Sequence, residues 1–423
     1  MENPLDYDLA DFFFNESPNI LTPPPYFNTW VNDPGISATL SFFEQPLLSA
    51  PSAVTRICSN LDGQKRRVIN LTSYNYLGLS THPEVLKACS LGLKEYGMGA
   101  SGAPVLSGTF DLHVKLAKML SHFKQKDDTV LYSSGFGGNL GAIQGLVRKG
   151  DLLVMDNKIH RSLIDGGTLS GAKMVFFAHN DMQHLNEILE KNKHKRILVI
   201  VEGVYSMDGD LVKLPELIEV TDQYPNVSIY LDDAHSTLMF GKYGRGIAEH
   251  FNLEHKIGIS FGTLSKSFGG LGGFVSANKE TIQYLKCYSS PYAFSCSLPP
   301  CIVAGLIKAL EVATRDSTLR DKMWENTRYF KNELVQMGLN IGETESQIIP
   351  IIIGSSRELL YEMATKMQLA GLLLQPVVFP AVPHESLRFR ISMTAQITKD
   401  EMDEALNIIQ DVVAKKLAEK IHY

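Results

Sequence analysis

Six short apolar runs, at residues 129–132, 152–155, 174–177, 197–201, 227–231 and 257–261, recur along the middle of the chain, most of them separated by helix-compatible stretches. Alternation of this kind admits few folds. Strands joined by helices lie parallel, and a parallel sheet is covered on both faces. The predicted fold class is therefore α/β, with a large domain built on a mostly parallel central sheet flanked by helices. In such sheets ligands bind outside the carboxyl ends of the strands, and polar, glycine-bearing segments fall directly after several of these runs. Beyond residue 299 the pattern changes to helical stretches at 301–313 and 319–337, strand-like runs at 348–353 and 387–391, and a final helix near 399–418. This reads as a smaller C-terminal α/β domain. The expected division is an arm at 1–55, a large domain at 56–298 and a small domain at 299–423.

The arm stands apart in charge. It has no Lys or Arg but seven acidic residues, whereas the remaining chain is near neutral, with 40 basic and 39 acidic residues. A secretory signal needs a positive start, a mitochondrial presequence needs arginines and a membrane anchor of the polybasic kind needs lysines; the N-terminus offers none of these. No basic stripe suggests nucleic acid, and no apolar run approaches the length of a transmembrane helix. The five cysteines are scattered, with no C-x-x-C pair, which argues against a disulfide framework or a zinc site. A cytoplasmic protein without a metal is expected. The arm also carries Phe12-Phe13-Phe14, Phe42-Phe43 and Pro23-Pro24-Pro25. Two readings stay open for it: a segment packed along its own domain or a dimer partner, and a docking peptide for another protein.

Five groups mark a candidate site. Lys266 lies in a loop rich in glycine and hydroxyls, Gly262-Thr263-Leu264-Ser265-Lys266-Ser267-Phe268-Gly269-Gly270. A partly desolvated lysine there can lose its proton and attack a carbonyl; a solvated turn is the plain alternative. Ser133-Ser134-Gly135-Phe136-Gly137-Gly138-Asn139 opens a predicted helix, and backbone N–H groups at such a start can hold a phosphate. It lacks the Gly-Lys-Ser/Thr of a nucleotide loop, so a cofactor phosphate fits better than ATP. Asp232-Asp233-Ala234-His235 follows the run at 227–231. An aspartate there can keep a ring nitrogen protonated, as pyridoxal phosphate (PLP) requires, while a metal site with Glu202 and Asp208, or a helix N-cap, remains an alternative. His160 opens another helix and could stack on a flat cofactor. Residues 202–210 form a polar loop after a strand end.

These segments stand in register with one family. Tyr74-Asn75-Tyr76-Leu77-Gly78, Ser134-Gly135-Phe136, Asp156 with His160-Arg161-Ser162-Leu163, residues 202–210 and 232–235, Gly241 with Gly244-Arg245-Gly246, Gly262-Thr263-Leu264-Ser265-Lys266 and Ser297-Leu298-Pro299-Pro300 all match. From about residue 40 onward the chain resembles the α-oxoamine synthases of the fold-type I PLP-dependent transferases, and within them the soluble, homodimeric bacterial serine palmitoyltransferases. The resemblance implies that Lys266 binds PLP covalently and later moves the Cα proton. It implies that Asp232 pairs with the pyridine nitrogen, His235 bonds the ring hydroxyl and His160 stacks on the ring. Gly135, Phe136, Thr263 and Ser265 would hold the phosphate, with Ser295 reaching it from the other subunit of a homodimer whose active sites lie at the interface. Glu202 and Ser206 would complete the cofactor site. Tyr74, Asn75 and Arg390 would face the substrate, Arg390 gripping the amino-acid carboxylate.

The implied reaction is a decarboxylative condensation of an L-amino acid, expected to be serine, with a long-chain acyl-CoA to give an α-amino ketone, CoA and carbon dioxide. The alternative is the same chemistry with glycine or alanine and another acyl-CoA or carrier-bound acyl chain, as in 8-amino-7-oxononanoate synthase or a natural-product oxoamine synthase. Tyr74-Asn75-Tyr76 stands where glycine-using relatives usually carry Asn-Asp-Tyr. Ala103-Pro104 stands where many members carry Ser-Arg, and Gln396-Ile397 where many carry His-Thr. These departures bear on the acyl chain and on its carrier, CoA or acyl carrier protein. A cofactor-free scaffolding subunit would be expected to have lost Lys266; its retention with Asp232, His160 and His235 argues against that role.

Overall fold

A computed structural model describes residues 7–33, 36–37 and 40–421; Glu2 and Asp6 of the acidic arm lie outside the described residues. The strands, in chain order, are β1 (Val54–Cys58), β2 (Lys65–Asn70), β3 (Asp128–Tyr132), β4 (Leu152–Asp156), β5 (Lys173–Phe177), β6 (Ile197–Glu202), β7 (Val227–Asp232), β8 (Ile259–Thr263), β9 (Gly273–Ala277), β10 (Ile348–Gly354), β11 (Leu372–Leu373), β12 (Pro376–Val377) and β13 (Leu387–Ser392). The chain divides into two compact units, one of residues 74–323 and one of residues 1–73 with 324–423.

Unit 74–323 is organised by a seven-stranded sheet in the order β3-β9-β8-β7-β6-β4-β5. β9 runs antiparallel to both of its neighbours, and the other six strands are parallel. Every residue of β4, β6, β8 and β9 is buried, as expected of strands covered on both faces. Helices Gly135–Leu146, Arg161–Ser170, Met182–Lys191 and Leu214–Thr221 follow β3, β4, β5 and β6. Val130, Tyr132, Ile143, Leu153, Met155, Leu163, Ile200, Tyr230, Phe261 and Val275 share one core cluster. Small residues let the helices sit close to the sheet. A Cβ on Gly138 would lie 2.8 Å from the Phe261 ring, and one on Gly167 would lie 2.5 Å from Met174 Sδ.

The sequence expectation for this sheet stands, with two differences. The run expected at 257–261 forms a strand two residues later, because a 3-10 turn at Glu254–Lys256 occupies the approach and Gly262 and Thr263 pair with Phe274 and Gly273. β9 was not expected, since its strand character comes from pairing on both sides rather than from its own short apolar run.

The other unit holds two small sheets. In the first, β2 lies between β1, antiparallel to it, and β11, parallel to it; in the second, β13 lies between β10 and β12 and is antiparallel to both. A capping box between Thr398 and Glu401 starts the helix Lys399–Ile409, where the side chains satisfy two otherwise orphaned backbone donors. In the arm, Phe12 packs 5.0 Å from Trp30, centroid to centroid. Trp30 and Phe42 are buried, whereas Phe13 and Phe14 are 75% and 84% exposed. No helix among the described residues is long and apolar enough to cross a membrane.

One ion pair lies inside the unit that carries the large sheet. Lys124 Nζ is 2.9 Å from Asp233 Oδ2, with both side chains almost fully buried. The Asp233 carboxylate also accepts from the Ser236 hydroxyl and the Ile247 N–H. Removing one partner leaves an uncompensated buried charge, which costs about 3–5 kcal/mol. Lys124→Met is therefore expected to lower unfolding stability by roughly that amount in urea titrations. Lys124→Met with Asp233→Asn should recover part of it; a Lys124→Met variant as stable as the parent would contradict this account.

Candidate active site

The carboxyl ends of the parallel strands bring the polar groups together. β6 ends at Glu202 and β7 at Asp232, paired in register. β8 ends at Thr263, three residues before Lys266, and β4 ends at Asp156, four before His160. Asp232 is buried. Its Oδ2 accepts from Asn139 Nδ2 at 2.7 Å and its Oδ1 from the Ala234 N–H at 2.9 Å. Burial pushes the Asp232 carboxyl above its usual range, against the opposing pull of the Lys266 charge and these hydrogen bonds. Glu202 is raised further, by burial and by the neighbouring Asp232; it accepts from the His160 backbone N–H. Asp233 points instead into its pairing with Lys124, so the two adjacent aspartates face different surroundings. Among the described residues no group of acidic, histidine or cysteine side chains is arranged to hold a metal.

Lys266 is half-buried. Its Nζ lies 2.7 Å from His235 Nε2, and His235 Nδ1 lies 2.8 Å from the Tyr76 hydroxyl. The Tyr74 ring stands edge-on to His235 at 6.0 Å, with Lys266 Nζ 5.8 Å from its centroid. The lysine loop and the turn at 74–80 approach backbone to backbone. Gly269 has φ +70°, and a Cβ there would fall 2.3 Å from the Ser80 nitrogen, so neither the conformation nor the space admits a side chain.

The helix Gly135–Leu146 opens beside β8. Ser134 caps it, its Oγ accepting from the Gly137 N–H at 2.9 Å. A Cβ on Gly135 would lie 2.7 Å from Thr263 Oγ1, and Thr263 Oγ1 is 2.8 Å from Ser265 Oγ. A helix N-terminus with glycine at its first, third and fourth positions, next to two hydroxyls, is a donor set for an anion. His160 caps the helix Arg161–Ser170, its Nδ1 2.7 Å from Ser162 Oγ. Burial holds its pKa down, which favours the neutral ring. Phe136 is partly exposed, its ring edge-on to His160 at 6.3 Å.

Of the other expected site residues, Asn75 is buried and engaged in its own turn, donating to Ser80 Oγ at 2.7 Å and accepting from the Ser80 N–H. Ser206 is half-buried in the loop that follows β6, closed by a bridge between Val204 and Leu211. Ser295 lines a cleft with Thr109, His113, Tyr132 and Tyr292. Arg390 belongs to the other unit, on β13 opposite Pro350 of β10, and is buried.

Two groups escaped the sequence reading. Asn139 joins Asp232 to Ser162 Oγ at 3.0 Å and accepts from the Tyr230 hydroxyl at 2.8 Å. Its signal was a single amide among glycines and apolar residues on a helix that buries that face. The second is His179, held between Asp156 and Asp210 at 3.0 and 2.6 Å. Burial lowers the His179 pKa, but the two carboxylates outweigh it and the net value is pushed up to about 9 from 6.5. A group raised on folding adds stability that is complete below pH 6.5 and fades as pH rises through about 9. His179→Gln should therefore flatten the loss of thermal stability between these limits; parallel melting curves for parent and variant from pH 6.5 to about 9 would overturn the assignment.

Comparison with known proteins matches residues 66–409 to the family model described as aminotransferase class I and II. An 8-amino-7-oxononanoate synthase of Thermoanaerobacter pseudethanolicus is 38% identical over 89% of this chain and 93% of its own length. A serine palmitoyltransferase of Sphingobacterium spiritivorum is 39% identical over 82% of this chain and 86% of its own. Among solved structures, a variant serine palmitoyltransferase from S. paucimobilis with bound PLP–myriocin aldimine has a TM-score of 0.85 at 31% identity, covering 90% of this chain and 94% of that one.

Proposed function

Because the chain belongs to the aminotransferase class I and II family and, within it, to the α-oxoamine synthases, we propose that it joins a small L-amino acid to an acyl thioester, releasing carbon dioxide and the thiol to leave an α-amino ketone. The protein is a PLP-dependent acyltransferase with the fold-type I architecture. The observation that carries the reading is the convergence of the Lys266 amine, the buried Asp232 carboxyl and the uncluttered helix start at Gly135 on the carboxyl ends of the parallel strands.

The residues present fit the cofactor. The cradle at Gly135 with Thr263, Ser265 and Phe136 suits a phosphate, and Lys266 offers an amine to hold the group covalently. Bound PLP supplies an electron sink that stabilises negative charge at the amino-acid Cα. In this reading Asp232 faces the ring nitrogen, and a cation there brings its raised pKa back down; Asn139 and Tyr230 hold the carboxyl in place. His160 presents a neutral ring face, fixed by Ser162 and by the Glu202 grip on its backbone. His235 would meet the ring hydroxyl through Nε2, the nitrogen that also lies 2.7 Å from Lys266 Nζ, and Ser206 would border the site. Lys266, once free, takes and returns the Cα proton at Nζ. Tyr74 and Asn75 line the substrate side. By the resemblance, Arg390 would meet the amino-acid carboxylate, and Ser295 would meet the phosphate across the interface of a homodimer.

For the substrate pair, glycine or alanine with an acyl-CoA or carrier-bound acyl chain has the better support, from the 8-amino-7-oxononanoate synthase likeness over 89% of the chain. Serine with a long acyl chain is the second reading, favoured by Tyr74-Asn75-Tyr76 and by the serine palmitoyltransferase likeness at 39% identity. Thiol release, measured for the three amino acids against short and long acyl chains on CoA and on acyl carrier protein, is expected to be highest with alanine or glycine. Serine with a long chain turning over about tenfold better would reverse that choice and leave the family chemistry intact. Lys266→Ala should lower kcat roughly a thousandfold or more and abolish borohydride trapping of the cofactor. A variant that still traps cofactor and turns over normally would remove Lys266 from the mechanism.

A further inference from the structure

Tyr76 belongs to a buried chain of hydrogen bonds that leads to Lys266. The phenol lies 2.8 Å from His235 Nδ1, and His235 Nε2 lies 2.7 Å from Lys266 Nζ. Tyr76 is fully buried and His235 is 4% exposed, so water does not compete for the proton between these two. A neutral imidazole has one N–H and one lone pair, and the partner on one nitrogen decides what the other can do. If the phenol donates to Nδ1, Nε2 carries the proton and can donate only to an amine with a free lone pair. If the phenol oxygen accepts from Nδ1, Nε2 accepts instead, from an ammonium. Between the phenol and the imidazole, the O–H is the stronger donor and the ring nitrogen the better acceptor, so this pair favours the first arrangement.

We propose that Tyr76 is a positioning residue that fixes His235 in its Nε2–H tautomer and thereby favours the neutral amine of Lys266 whenever that amine is free. The inference rests on Lys266 being the cofactor lysine. Other ionisable groups also face this amine. Asp232 from the end of β7 and Glu202 from the end of β6 favour its charged form, and His160 opposes it when protonated; Tyr74 lies over it from the same turn as Tyr76. The tautomer lock works against the two carboxylates, and its effect is to keep a proton acceptor available at pH values where the acids alone would hold an ammonium.

Tyr76→Phe keeps the ring and removes only the hydroxyl. In the holoenzyme the acidic limb of the kcat–pH profile is expected to move upward by about one pH unit, the size of one net hydrogen bond, while KM for the amino acid stays within about twofold. Independently of activity, 15N resonances of His235 should report Nε2–H in the parent protein and a mixture of tautomers in Tyr76→Phe. An unmoved acidic limb together with an unchanged His235 tautomer in the variant would overturn the proposal. If Tyr76→Phe does not fold, the parent spectrum alone decides: a His235 protonated on Nδ1 sinks the idea. An inactive Lys266→Ala with a null result at Tyr76 rejects this inference alone, whereas an active Lys266→Ala rejects the reading beneath it.

Discussion

A carboxyl group buried at the end of a strand sets conditions for much of its surroundings. Asp232 cannot reach solvent, so its oxygens must be met by fixed donors, and the Asn139 amide and the Ala234 N–H meet them. Asn139 can do so only because Tyr230, on the same strand, holds the other end of its amide. The helix bearing Asn139 can come that near the sheet only because Gly138 leaves room for the Phe261 ring. One step along the chain, Asp233 makes the same demand on the opposite side and is answered by Lys124. The end of β7 is thus clamped on both sides by groups whose only alternative is an unpaired charge in a dry interior. That rigidity fixes the position of the Asp232 carboxyl before any ligand arrives.

Much of this was legible in the sequence, and the reason is period and punctuation. The runs that became β3 to β7 sit within one residue of their expected ends, because polar residues flank most of them. Lys266, Asp232, His235 and His160 stand next to those boundaries and announced themselves by position. β9 and β11 did not, because their strand character comes from partners distant in sequence: Gly273–Ala277 pairs with β3 and β8, and Leu372–Leu373 with β2. Asn139 and His179 were missed for a related reason. An amide within a helix and a histidine beside an aspartate have common, uneventful explanations in one dimension. Their meaning depends on what stands opposite them in three, Asp232 and Ser162 for one, Asp156 and Asp210 for the other.

The chemistry and the choice of substrate have different physical bases in this chain. Groups suited to the cofactor, from the Gly135 helix to Lys266, belong to one compact unit. Arg390 lies on a strand of the other unit. Relatives of similar identity carry names for different reactions, as expected where one architecture hosts several substrates.

The contact between Gly269 and Ser80 has a consequence for how such an enzyme can change. The loop that presents Lys266 rests on the turn that carries Tyr74, Asn75 and Tyr76, with no side chain between the two backbones. Two surfaces meeting this way have no soft layer to absorb a mismatch. A turn borrowed from a relative brings its own curvature, and any displacement of its backbone passes directly to the lysine. The two segments are therefore one inheritable part, and a new selectivity written into residues 74–80 travels with the lysine loop or spoils it.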